Sequence, residues 1–581
     1  MHYKLYVLYS NTRYVHIEAS CETNGATELR LQLPAWRPGR YELGNFAKNV
    51  RNFVVFNEHN QRLQCQKFAK DGWIVLTAGA QSITVTYEYY AADLNAGSTY
   101  VDESQLYVNP VNCCLYKVGA EQEPCALEIE IPPHWKLATA LPVTTTEHLG
   151  KLVKTMKAEN FDRLADSPFI ASADLKHHFF VLDGVEFHLW FNGECHPDWS
   201  KLTSDFFIFV NEQMQLFGSF PTPEFHFLIQ VLPTKFYHGV EHVDSTVIAL
   251  GPGTQLMSEL YNDLLGVSSH ELFHAWNIKT IRPAEMLPYD FTKENYSRLG
   301  FVAEGVTTYY GDYILFRSGV WEEVEYWPEF ADRLVKHFDT HARYFMSVAD
   351  ASFDTWLDGY VPGAPHRKTS IYHEGSILAF CTDMFIRKHS NNKHSLDDVM
   401  RVLWMDFAKV GKGYTEMDYK QLVEQFAGSD FSYYWNNYFY KANDYTPIVQ
   451  EALDYIGCEL KMIPAIRSYE RWYGFRLVEV NGASKVSEMY YKSPAVLCGL
   501  SVGDEIIAIN GYEASGDMNI WMSYFESDEP VNVTVVSNGK RKELQLLRNG
   551  QLYYSVPQIV RRPEVTDNQK VAWQKWSGKK W

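Results

Sequence analysis

The chain has 581 residues, too many for a single hydrophobic core, so three or four domains are expected. The net charge is −18 with histidines neutral, and no Lys/Arg cluster falls inside any expected domain, so nucleic acid is excluded as a partner; the basic, aromatic end "WQKWSGKKW" is too short to change this. No run reaches the roughly 18 apolar residues of a membrane span, and nine cysteines, an odd number with no CxxC, exclude a complete disulfide framework.

The start, "MHYKLYVLYSNTRYVHIEAS", alternates like a strand and lacks the basic-then-apolar pattern of a leader, so a reducing, cytoplasmic setting is expected. Residues 1–170 read as β-structure, with "KLYVLYS", "LRLQLPAW", "SITVTYEYY" and "CALEIEIP" separated by turn signals such as "RPGR" and "LNAGS". A β-sandwich is the architecture this pattern favours. From 171 to 455 strands such as "VEFHLWFN" and "EFHFLIQVL" give way to helices such as "AEGVTTYYGDYILFRSG" and "EGSILAFCTDMFIRKH", an α+β arrangement. Residues 456–550 are β-rich again, and 551–581 form a tail without clear periodicity.

The segment "SSHELFHAWN", residues 268–277, lies where sheet and helices meet. On a helix His270 and His274 fall within about 40° of each other, while Leu265, Leu272 and Trp276 fall on the opposite side. Two imidazoles on one face can converge on one metal ion, and Glu271 between the faces is placed to act as general base on a water, the HExxH logic of metallopeptidases. The alternative is a pair of core histidines that only hydrogen-bond. A third ligand comes from Glu294 or Glu304. Glu294 lies in the polar, turn-like "YDFTKENYSRLG", whereas Glu304 lies in the apolar helix "FVAEGVTTYYGDYIL". A ligand must be held by packed neighbours, which favours Glu304; Glu304 also reads as an acid that favours a helix N-terminus.

"HELFHAWNIKTIRP" followed by "AEGVTTYYGDY" resembles the glycyl aminopeptidases, zinc peptidases of the gluzincin clan distantly related to aminopeptidase N. "LPAWRPGRYELGNFAKNVRNF" looks like the family's N-terminal signature and "FDRLADSPF" like the segment that leads into its catalytic domain. The resemblance implies a multidomain α+β protein with an N-terminal β-sandwich, a thermolysin-like catalytic domain and a C-terminal PDZ domain. It implies one zinc ion on His270, His274 and Glu304, with Glu271 as general base. "HGVEHVDST" is similar to the Gly-x-x-Glu strand that binds a free peptide amino terminus, which implies amine-binding roles for Gly239 and Glu241. In "SIYHEGSILAF" Tyr372 matches the oxyanion-stabilising tyrosine and Gly375 the glycine, but Glu374 stands where the family has lysine. From the residues alone, Glu241 also reads as an acid solvating an edge strand, and Tyr372 as an aromatic near a helix start.

The implied substrate is a peptide with a free amino terminus, preferably beginning with glycine or alanine. "YVNPVNCC", residues 107–114, is the candidate for an N-terminal-domain wall of the site. "SPAVLCGLSVGDEIIAINGYE" looks like the PDZ core, with Asn510-Gly511 as a hairpin turn and "WYGF" as the loop that captures a C-terminal carboxylate, unless that domain only docks on the catalytic unit. Two other readings compete: an endopeptidase with the same metal chemistry and a non-catalytic PDZ-bearing scaffold. Cobalt or manganese also suits such ligands.

Overall fold

A computed structural model of the chain describes residues 1–148, 151–361, 363–514, 516–526 and 528–581. The N-terminal region is β-rich, as its alternation predicts: Ser82–Tyr90 buries every second side chain. It pairs within a seven-stranded sheet whose order is Val143–His148, Lys151–Ala158, Cys125–Ile131, His2–Tyr6, Tyr14–Glu22, Ser82–Tyr90, Val50–Asn57. A four-stranded sheet built on Glu28–Gln32 and Gly72–Leu76 faces it, and Tyr3, Leu31, Val75 and Leu127 fill the core between them.

A further small sheet, Lys136–Thr139, Phe169–Ser172, Gln105–Val108 and Tyr100–Val101, turns Tyr107, Ala138 and Ile170 onto Leu228, Val247 and Ala249 of the next region. The strand Phe169–Ser172 therefore crosses the boundary expected at residue 170, and the two regions share a buried layer.

That next region opens with a five-stranded sheet in the order Lys176–Leu182, Val185–Asn192, Glu224–Val231, Ser245–Gly251, Phe236–Glu241. The middle strands pair in parallel, and Glu224–Val231 and Ser245–Gly251 are buried almost throughout because both their faces are covered. The last strand is an antiparallel edge, and the helix Tyr261–Phe273 lies against it. A helical lobe follows, in which Thr307–Ser318, Glu323–Asp339 and Ile371–His389 contribute to one large core.

The described residues from 469 to 546 form a compact β-unit with its own core of Phe475, Ile506 and Val533. The Asn510-Gly511 hairpin forms as expected: both residues have positive φ between Glu505–Ile509 and Tyr512–Glu513. "WYGF", residues 472–475, spans the end of a helical turn and the start of a strand. Tyr469–Tyr473 closes into a π-helical turn, and the Gly474 N–H donates to the Glu470 carbonyl at 3.2 Å, so that donor is spent within the chain.

The C-terminal segment also departs from an aperiodic tail. Val556–Arg561 pairs with Cys458–Ile463, and Asp567–Ser577 is a helix capped by Thr566. Its Trp573 and Trp576 are fully buried in the helical lobe, where the Tyr313 hydroxyl donates to the Trp576 carbonyl at 2.6 Å. Two tryptophans three apart on one helix face explain why a basic segment still anchors in a core. Among the described residues no helix is long and apolar enough to cross a membrane.

One buried ionic junction fastens the N-terminal region to the sheet. Asp166 accepts from Lys279 Nζ at 2.7 Å and from the Val243 N–H at 2.9 Å, and it pairs with His242 Nδ1 at 3.0 Å. Burial alone would raise the Asp166 carboxyl, but Lys279 and His242 hold it well below the usual carboxylate range. A depressed acid stabilises the fold above its unfolded pKa and loses that contribution as pH falls through the folded one. Asp166→Asn is therefore expected to cost about 3–5 kcal/mol at neutral pH. The gap to the wild type should narrow as pH falls below about 4, the unfolded value for Asp. Urea melts of both proteins at neutral and acid pH check this, and a gap independent of pH would contradict it.

Candidate metal centre and active site

The helix Tyr261–Phe273 is buried nearly all round rather than on one face: Leu265, Leu272 and Trp276 are in the core as expected, but so are Glu271 and His274. Glycines let its neighbours close in. A Cβ on Gly311 would stand 3.2 Å from the His270 Cα, and one on Gly239 would stand 2.2 Å from Glu271 Oε1. The sequence-predicted Gly239 is thus the opening in the edge strand that admits the Glu271 carboxylate.

The α-helix ends at Phe273, with His274 as its cap, yet the His274 N–H still reaches the His270 carbonyl at 3.3 Å. The two imidazoles therefore keep one-turn spacing, with their Nε2 atoms 3.0 Å apart. His274 Nδ1 lies 2.9 Å from the Asn277 carbonyl, an arrangement that puts the ring proton on Nδ1 and leaves the Nε2 lone pair free for a ligand.

Glu304 sits in a π-helical turn, Phe301–Val306, that continues into the helix Thr307–Ser318. The apolar pattern foretold a helix but not this widened turn, a form common at functional sites. Two features hold it. Gly305 meets Gly375 of the neighbouring helix so closely that a Cβ on Gly305 would stand 2.4 Å from the Gly375 Cα. The buried Asn277 side chain donates to the Val302 and Ala303 carbonyls at 2.8 and 3.2 Å. Glu304 Oε2 then lies 3.3 Å from His274 Nε2.

His270, His274 and Glu304 offer one donor atom each, all within 4.8 Å of one another. A metal about 2.0–2.1 Å from three tetrahedral donors sets them roughly 3.3–3.4 Å apart, so this donor set fits such an ion. Two Nε2 lone pairs facing each other need a positive charge between them, a proton or a metal ion. The charge balance agrees: burial pushes His274 down, yet Glu304 and Glu241 outweigh it and raise the group to about 10. Burial also raises Glu241 and Glu271. Glu241 Oε1 and Glu271 Oε2 are buried without a hydrogen-bond partner among the described residues.

Gly239, Glu241, His270, Glu271, His274, Glu304 and Tyr372 all border one cleft of about 820 Å³. Glu241 is 4 % exposed at the end of the edge strand, which removes its alternative reading as a solvating acid. Tyr372 opens the helix Ile371–His389, its hydroxyl 3.0 Å from that of Tyr360. Glu374 turns away onto His337 Nδ1 at 2.8 Å, so the acid replacing the family's lysine serves the helical core. Glu294 lies apart from the histidines, beside Glu42 and Leu357.

The N-terminal domain reaches the cleft through a segment other than the expected "YVNPVNCC". Residues 107–114 are buried behind the wall, where Asn109 and Asn112 bind the carbonyls of Ser98 and Gly97. The wall itself comes from "RPGRY". Gly39, with φ +82°, faces Glu241 so closely that a Cβ would fall 2.3 Å from Oε2, and the Tyr41 hydroxyl donates to Glu304 Oε1 at 2.8 Å. Arg40 stacks on Tyr360. Sequence reasoning missed these contacts; the only signal was a Pro-Gly turn inside the family's N-terminal signature.

A second His/carboxylate trio, His188, Glu224 and His226, lies on the sheet. There Trp190 Nε1–H donates to His226 Nδ1 at 3.1 Å, which leaves the ring proton on Nε2 and blocks that nitrogen as a ligand.

Residues 2–173 match the family described as the peptidase M61 N-terminal domain, and residues 263–378 match the M61 glycyl aminopeptidase family. No curated protein sequence matches the chain. Among solved structures, an aminopeptidase N family protein from Idiomarina loihiensis superposes with a TM-score of 0.89 at 26% identity, covering 99% of both chains. The M1 zinc metallopeptidase of Deinococcus radiodurans is a much looser likeness, with a TM-score of 0.44 at 14% identity over 74% of this chain and 90% of its own. The two family matches and the full-length likeness support a metallo-aminopeptidase.

Proposed function

We propose that the chain is a zinc-dependent aminopeptidase that removes small N-terminal residues, glycine and alanine above all, from peptides. The observation that carries this reading is the convergence, in one cleft, of three potential metal donors with the buried carboxylates of Glu271 and Glu241, each with one oxygen that has no partner among the described residues. In this reading residues 171–455 form a thermolysin-like domain between a β-sandwich (1–170) and a PDZ-like unit (456–550), with 551–581 as a C-terminal anchor.

His270, His274 and Glu304 would hold the zinc, which would supply an activated water and charge stabilisation at the scissile carbonyl. Glu271 takes the proton from the attacking water and returns it to the leaving amine; burial, which raises its pKa, suits both halves of that task. The Tyr372 hydroxyl donates to the developing oxyanion. Glu241 pairs with the substrate ammonium at the closed end of the cleft, so only the first residue is released. Tyr41 positions Glu304 by holding its second oxygen. A small first residue is supported by the family resemblance and by the bulk of Tyr360 and Arg40 in the same cleft.

Metal analysis tests the ligand set. Wild-type protein should carry one zinc per chain, and Glu304→Ala or His274→Ala should lose most of it. A Glu304→Ala protein with undiminished zinc would remove Glu304 from the site.

A further inference from the structure

We propose that the N-terminal domain holds a second ligand site, a polar cavity of about 190 Å³ in which the Arg37 guanidinium binds a small carboxylate. The site goes beyond the aminopeptidase reading and does not depend on it.

Arg37 is only 6 % exposed and borders the cavity. Among the described residues its guanidinium makes one hydrogen bond, a long one of 3.4 Å to the carbonyl of its neighbour Pro38, and no carboxylate forms an ion pair with it, Glu241 acting on it only from a distance. Glu42, the acid nearest in sequence, is taken by Arg40. A buried charge without a partner is costly unless a ligand supplies one. The position is built rather than incidental. The guanidinium lies flat against Gly97, where a Cβ would stand 2.2 Å from Nη2. Asn112, 1 % exposed, anchors the same glycine by donating to its carbonyl at 3.0 Å, while its own Oδ1 has no partner among the described residues. That free acceptor suits a hydroxyl or ammonium carried by the bound acid. Lys48 stands exposed at the rim, unpaired among the described residues.

The charge selects the class of ligand. Among the lining residues Arg40 and Glu42 cancel and Arg37 with Lys48 outweighs Asp93 by one charge, which the nearby Glu241 partly offsets, so the site suits a monoanion and disfavours a phosphate dianion. The planar guanidinium fork matches a carboxylate in two parallel hydrogen bonds. The location is also telling, because Arg37 begins the loop whose Gly39 abuts Glu241 and whose Tyr41 holds Glu304.

Calorimetric titration of the full chain with sodium acetate, in a chloride background, tests the proposal. The protein is titrated zinc-loaded and after chelator treatment, so that acetate on the metal is separable from acetate on Arg37. Acetate should bind both forms with equal affinity, about tenfold or more weaker in Arg37→Gln and several-fold weaker in Lys48→Glu. Inorganic phosphate should bind more weakly than acetate. The proposal is overturned if wild type does not bind acetate, if binding vanishes with the zinc, if Arg37→Gln binds as wild type does, or if phosphate binds more tightly. Should circular dichroism show Arg37→Gln unfolded, Lys48→Glu decides, and unchanged affinity there overturns the site.

Discussion

Glu271→Gln should lower kcat by about 10³-fold while zinc content and KM stay near wild type. Glu271 belongs to the histidine helix, and its Oε2 is buried without a partner among the described residues. Gly239 opposite leaves the carboxylate room to face the cleft. Glutamine keeps the shape and the hydrogen-bonding reach but cannot accept and return a proton, so the loss isolates proton transfer from metal binding. Steady-state kinetics beside metal analysis measure it. A fall below about tenfold with zinc retained would place the general base elsewhere.

Glu241→Ala should separate substrates by their amino terminus. Truncating one partner of a buried, charged hydrogen bond costs about 2–5 kcal/mol, so kcat/KM for a free-amine peptide should drop by roughly 10²–10³-fold. An N-acetylated peptide makes no such pair, and its slow turnover should change little. Equal losses on both would mean that Glu241 supports the fold of the cleft rather than the ammonium. Gly39 bears on the same point, because its left-handed backbone brings the N-terminal loop against Glu241 and closes that end of the cleft.

How much was legible in the sequence follows from what kind of signal each feature leaves. The histidines and Glu271 are close in sequence, and their helical spacing alone puts them together. Glu304 is distant, but weighing an apolar helix against the polar loop around Glu294 selects the residue that the structure brings to His274. Glu241 and Tyr372 needed the family resemblance, since nothing local distinguishes an edge-strand acid or a helix-start tyrosine. The β-rich start and helical middle follow from alternation and apolar spacing.

The missed features depend on contacts between distant segments. Tyr41 meets Glu304, Asp166 meets Lys279 and His242, and Trp576 meets Tyr313, each across more than 70 residues, and no period or motif announces such a pairing. The π-helical turn at Glu304 is also silent in sequence, because it arises from the close contact of Gly305 with Gly375 and from the Asn277 side chain. Glu374 shows the converse: a departure from the family pattern becomes intelligible once His337 is seen beside it.

The central claim is exopeptidase chemistry at a free amino terminus. It is tested most directly by incubating zinc-loaded protein with a short glycine-initiated peptide and with its N-acetylated twin. Release of free glycine from the first alone, abolished by a chelator and restored by zinc, is the predicted result. Internal cleavage of both peptides, or release of glycine that persists without metal, would contradict it.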